Sequence, residues 1–129
     1  MRAVRLEVLA GELALCRLGP EDEVPEWAEG GELLATVRTA EELTVVCTAS
    51  AVPAGVEASA GWLALRVSGT LDLALTGVLV KLLEPLAAAE VPIFAVSTYD
   101  TDYVLVPARR LDAASAALEA AGHAVERAP

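Results

Sequence analysis

Residues 61–69, GWLALRVSG, alternate: Leu63, Leu65 and Val67 share one side, and Trp62, Ala64 and Arg66 the other. That two-residue period predicts a half-buried β-strand. In the TLDLALTGVLVKLLEPLAAAEV that follows, the period changes. Leu79, Leu82, Leu83 and Leu86 recur at helical spacing, and Lys81, Glu84, Pro85 and Ala88 share the opposite face. Pro85 removes the hydrogen bond to the Lys81 carbonyl, but on an outward face water satisfies that carbonyl and the helix continues. PIFAVST and YVLVP read as two strands joined by YDTD, whose residues suit a tight connection, so a hairpin is expected over residues 92–107. Pro107 then fits the first turn of a second helix, with Leu111, Ala114, Leu118 and Ala121 as its apolar stripe and Gly122 as its stop. HAVER reads as a short final strand.

The resulting order is strand, helix, strand, strand, helix, strand. It is the split βαβ arrangement of an α+β, ferredoxin-like fold. The first half is less regular. VRLEVLA and ELALCRL read as strands paired around Ala10 and Gly11, VPEWAEG as a helical turn, and ELLATVRT and LTVVCTA as further strands. TAEEL fits a capped helical turn, in which Thr39 accepts from the Glu42 amide and the Glu42 carboxylate reaches back. This half reads as a degenerate copy of the second, its helices shortened to single turns. The aperiodic SAVPAGVEASAG marks the border, giving domains over 1–60 and 61–129.

Composition narrows the class. With 129 residues, 55% hydrophobic and 4% aromatic, the chain forms one globular domain or two small halves with aliphatic cores. Its 19 acidic and 9 basic residues leave a net charge of −10, which removes the electrostatic drive for binding nucleic acid or anionic membrane. Residues 1–60 hold 11 acidic and 4 basic residues, so the first half is the more acidic. No apolar run approaches the roughly 20 residues that span a bilayer, and a cytoplasmic protein is expected. Cys16 and Cys47 sit in apolar runs without CxxC spacing. They read as buried reduced thiols, with a disulfide open if their strands are neighbours. A metal site would need both cysteines and the single His123, which follows a glycine helix stop, so none is expected. No nucleophile–base pair, P-loop or GxGxxG occurs, so neither catalysis nor a cofactor is expected.

Residues 62–125 resemble an ACT domain of the small tandem type, similar to the ACT units of CASTOR-type arginine sensors. LTGVL and FAVSTYDTDYVLV carry most of the likeness. LALCRL and RTAEELTVVC resemble the N-terminal portion of such proteins, so the likeness extends over nearly the whole chain. The resemblance implies a non-catalytic regulatory module that binds a free amino acid, often between two such units.

The residues give that role a physical form. Thr76, Gly77 and Val78 open the first helix, where amides at the positive end of the helix dipole can receive an α-carboxylate. Ser97, Thr98, Tyr99, Asp100, Thr101 and Asp102 follow the neighbouring strand, and their carboxylates can take an ammonium group. Asp72, if it faces the pocket, favours a cationic side chain such as that of arginine. Plainer readings stand beside these. Asp100 and Asp102 suit a turn, Gly77 suits close helix packing, Thr76 is an ordinary N-cap, and Tyr99 and Tyr103 are packing residues. Open sheet edges make a dimer expected. The alternative function is a ligand-independent interaction module that works through a sheet edge or the acidic first half.

Overall fold

The computed structural model describes residues 3–69 and 77–127. Among them are β1 (Arg5–Val8), β2 (Leu13–Leu18), β3 (Ala35–Arg38), β4 (Leu43–Thr48), β5 (Ala58–Val67), α1 (Val78–Ala88), β6 (Phe94–Ser97), β7 (Asp102–Pro107), α2 (Leu111–Ala120) and β8 (Ala124–Glu126). The chain divides into two compact units, Met1–Leu9 with Leu63–Pro129, and Ala10–Trp62. No helix among the described residues is long and apolar enough to cross a membrane.

The larger unit has the expected α+β succession of β5, α1, β6, β7, α2 and β8. Its strands lie in the order β6-β7-β5-β1-β8. Leu65 and Val67 of β5, Val104 and Val106 of β7, Leu82 and Leu86 of α1, and Ala114 and Leu118 of α2 bury one core. Each large aliphatic side chain so buried contributes roughly 1.5–3 kcal/mol. Leu79 and Leu83 complete the predicted α1 stripe, half-buried against that core. The helix runs through Pro85. It ends where Glu90 takes a left-handed φ of 58°, with the Val91 amide donating to the Leu86 carbonyl and the Glu90 amide to that of Ala87, both at 3.0 Å. Arg110 reaches across from the start of α2 and donates to the Ala89 and Glu90 carbonyls.

At α2 the expectation needs one correction. Pro107, at φ −59° and ψ 135°, is still extended and closes β7, and a 3-10 turn (Ala108–Arg110) intervenes before the helix. The stop at Gly122 is as expected, at φ 97°, with the His123 amide donating to Leu118 and the Gly122 amide to Glu119. His123 is buried, and its Nδ1 accepts from the Val4 amide at 3.1 Å, tying the end of α2 to the entry of β1.

The first strand overturns a pairing expectation. β1 does not form a hairpin with β2; it pairs antiparallel with β5, Leu6 opposite Val67, and parallel with β8, Leu6 opposite Val125. β2 in turn pairs antiparallel with residues 58–62 of β5, inside the smaller unit. Leu6 is one of the most deeply buried residues of the larger unit's core.

The smaller unit orders its strands β3-β4-β2-β5. Two 3-10 turns, Glu26–Ala28 and Ala49–Ala51, stand where the larger unit has helices. Its core gathers Ala14, Cys16, Ala28, Leu43, Val45 and Cys47, with Trp27 and Val52 packed against them. TAEEL is not a helical turn. It is the reversal between β3 and β4, with the Thr39 amide donating to the Glu42 carbonyl at 2.9 Å. The Thr39 hydroxyl does accept from the Glu42 amide, but the Glu42 carboxylate takes the Thr44 hydroxyl instead of reaching back. Cys16 and Cys47 are buried, free thiols on the neighbouring strands β2 and β4. Burial, reinforced by Cys16 beside it, pushes the Cys47 thiol from 9.0 up to about 11. Burial likewise raises Cys16, opposed by its hydrogen bond with Cys47.

Candidate functional site

The hairpin between β6 and β7 brings six of the predicted residues together. Ser97 and Asp102 face each other as its last strand pair, and residues 98–101 form the reversal. Thr98 and Thr101 are spent on that reversal. The Thr98 amide donates to the Thr101 carbonyl at 2.8 Å, and the Thr98 hydroxyl donates to that carbonyl at 3.0 Å and accepts from the Thr101 amide at 3.2 Å. Thr101, only 3% exposed, turns its own hydroxyl to the Val67 carbonyl at 2.7 Å. The turn is therefore fastened to the last residue of β5.

That fastening leaves the other members outside. Tyr99 is 81% exposed, so it is no packing residue; Tyr103, in β7, is half-buried. Ser97 and Asp100 are exposed, and Asp102 is half-buried at the first position of β7. Two carboxylates and a phenol thus stand on a reversal whose hydrogen bonds are made by Thr98 and Thr101.

The turn lies at the C-terminal end of β5. Because β6 returns to that end after α1, the crossover places the N-terminus of α1 there too, and the C-terminus of α1 at the far end. Gly77 is the N-cap residue, exposed, at φ 81° and ψ 1°. Among the described residues a Cβ there would meet nothing within 4 Å, and the left-handed backbone by itself calls for glycine. Val78 begins the helix, and the first intrahelical bond runs from the Lys81 amide to the Gly77 carbonyl at 3.1 Å. The amides before Lys81 have no partner within the helix itself, as at any helix start. The cap falls on Gly77, not on Thr76. Thr76 and Asp72 lie outside the described residues.

Sequence reasoning missed two features. Val67 acts through its carbonyl, which no side-chain pattern reveals. A shallow depression of about 460 Å³ is lined by Val80, Lys81, Glu84, Pro85, Ala88 and Ala121, on the α1 face assigned to solvent, and none of the predicted site residues lines it. The only advance signal for it was the opposite face of the α1 stripe.

Comparison with known proteins gives the following. A model of the ACT domain matches residues 57–120. A second model, of an N-terminal domain, matches residues 11–55. No curated protein sequence matches. The structure is similar to that of protein Atu0741 from Agobacterium tumefaciens, with a TM-score of 0.94 and 30% identity over 100% of this chain and 96% of that one. It is also similar to the Vibrio cholerae protein VC0802, described as a possible transport protein, with a TM-score of 0.75 and 23% identity over 92% and 90%. The ligand-free regulatory subunit of aspartate kinase from Thermus thermophilus matches with a TM-score of 0.63 and 15% identity over 94% and 99%. These last two likenesses show the shared fold alone.

Proposed function

The chain belongs to the same family as Atu0741 and carries an ACT domain at residues 57–120, and we propose that it is a non-catalytic regulatory protein that binds a free amino acid at that domain. The observation supporting this reading is the shared end of the larger unit. There a carboxylate-bearing turn, locked to β5 by the Thr101 hydroxyl, accompanies a helix start whose N-cap glycine leaves open space.

In this reading the α-carboxylate rests on the amides around Thr76, Gly77 and Val78, and the ammonium group on Asp102 and Asp100, with Ser97 and Tyr99 at the rim. Thr98 and Thr101 hold the turn in shape. Asp72, if it faces the pocket, adds negative charge that favours a cationic ligand such as arginine, and the likeness to CASTOR-type sensors belongs to the same proposal. Residues 1–60 are read as a degenerate ACT-like half before an ACT domain at 61–129. The support for that is the smaller unit's β-turn-β-β-turn-β order with strands β3-β4-β2-β5; β1 is the exception, since it pairs with β5 and β8. Dimerisation and a cytoplasmic location complete the reading. The outer strands β6 and β8 offer edges that a second copy can cover.

Isothermal calorimetry of the full chain against each of the twenty amino acids tests it. At least one binds, and Asp102→Asn or Gly77→Val weakens that binding at least tenfold. No heat and no thermal shift with any amino acid at millimolar concentration refutes it.

A further inference from the structure

The smaller unit has an unpaired strand edge whose reading does not rest on the amino-acid site. Among the described residues β3 pairs with β4 alone, so one side of its backbone is open. The register identifies the open groups. The bond from the Thr39 amide to the Glu42 carbonyl closes the reversal, so the next pair, Arg38 with Leu43, is a non-bonded one, and Val37 with Thr44 and Ala35 with Val46 are bonded. The amides and carbonyls of Thr36 and Arg38 therefore face away from β4. The four-residue edge has neither a proline nor a bulge, and Val37 on it and Leu34 just before it are 59% and 39% exposed. The charge on the strand itself, Arg38, is drawn back by donating to the Pro20 carbonyl.

Charge selects the occupant. Residues 10–62 hold ten acidic and two basic residues, so this unit carries eight of the chain's ten net negative charges. Glu32, Glu41 and Glu42 bracket the strand in sequence. Two such edges repel each other, and an extended basic segment is attracted.

We propose that β3 is a docking edge for a basic, extended segment of a partner protein, which adds a strand through the backbone groups of Thr36 and Arg38. The probe is a fluorescein-labelled eight-residue peptide of alternating lysine and valine, titrated into the full chain by fluorescence anisotropy. Saturation with it slows hydrogen exchange at the Thr36 and Arg38 amides at least tenfold and leaves the already bonded Val37 amide unchanged. Thr36→Pro removes only an outward amide, so it keeps the melting midpoint within about 3 °C and weakens binding at least tenfold. A glutamate–valine peptide does not bind. Unchanged exchange at Thr36 and Arg38, or equal binding by an equally charged peptide with two valines replaced by proline, overturns the proposal. Self-association of the chain that Thr36→Pro abolishes also overturns it, because the occupant is then a second copy.

Discussion

Glu90→Gly will stabilise the larger unit. Glu90 holds φ 58° where α1 ends, the one non-glycine residue at positive φ among the described residues. A left-handed backbone costs an L-residue with a Cβ about 1–2 kcal/mol, and glycine nothing comparable. An acidic side chain at a helix C-terminus opposes the dipole by a further ~0.3–1 kcal/mol. Against these gains, glycine widens the unfolded ensemble by roughly 0.4–1 kcal/mol. Every bond of the motif survives, because Val91 and Arg110 bind backbone carbonyls. The net expectation is about 1 kcal/mol of added stability, or roughly 4 °C in the melting midpoint for a chain of this size. Circular dichroism at 222 nm is the assay of choice. Both described α-helices lie in the larger unit, whereas Trp27 and Trp62 lie in the smaller and would report on the wrong core. Glu90→Ala separates the causes, since it removes the charge and keeps the left-handed strain. If glycine proves no more stabilising than alanine, backbone strain at this position is not what limits α1.

Two further perturbations address the other core and the turn. The Cys47 thiol is held at about 11 against an ordinary 9.0, so between those values the folded chain keeps a proton that the unfolded chain has lost. This contribution to stability is complete below pH 9 and declines as pH rises towards 11, by roughly 2–3 kcal/mol. Urea titrations followed by tryptophan fluorescence will show a steeper alkaline loss for the wild type than for Cys47→Val, and parallel curves would contradict it. Thr101→Val leaves the buried Val67 carbonyl without its 2.7 Å donor, which costs about 1–3 kcal/mol. A lower midpoint at 222 nm checks this, and an unchanged one would mean that the hydroxyl is dispensable.

The sequence announced the two helices of the larger unit because each carries an apolar stripe, which Leu82 and Leu86 or Ala114 and Leu118 occupy in the core, although Ala121, read as the end of the second stripe, is an exposed C-cap residue. The hairpin after α1 was equally legible from the polar run between two apolar ones. Pairing of β1 was not. Alternation tells which face of a strand is buried and says nothing about its neighbours, and Leu6 finds Val67 and Val125 far along the chain. TAEEL misled for a related reason: a threonine hydroxyl that accepts from the third amide onward looks the same in a helix cap and in this strand reversal. At the candidate site the residue types were readable and their availability was not. Whether the Thr101 hydroxyl is free depends on a carbonyl 34 residues earlier, a relation no local spacing encodes.

The place of β1 bears on how the chain matures as it is synthesised. This strand is synthesised well before its ladder partners, residues 65–67 and 124–126. Residues 10–62 can collapse on their own core in the meantime, while residues 5–8 wait solvated until β5 and then β8 have been made. A gene shortened to encode only residues 61–129 would not yield an autonomous module, since β8 would lose its sole neighbour among the described strands. Supplying residues 3–9 as a separate peptide would be the natural rescue.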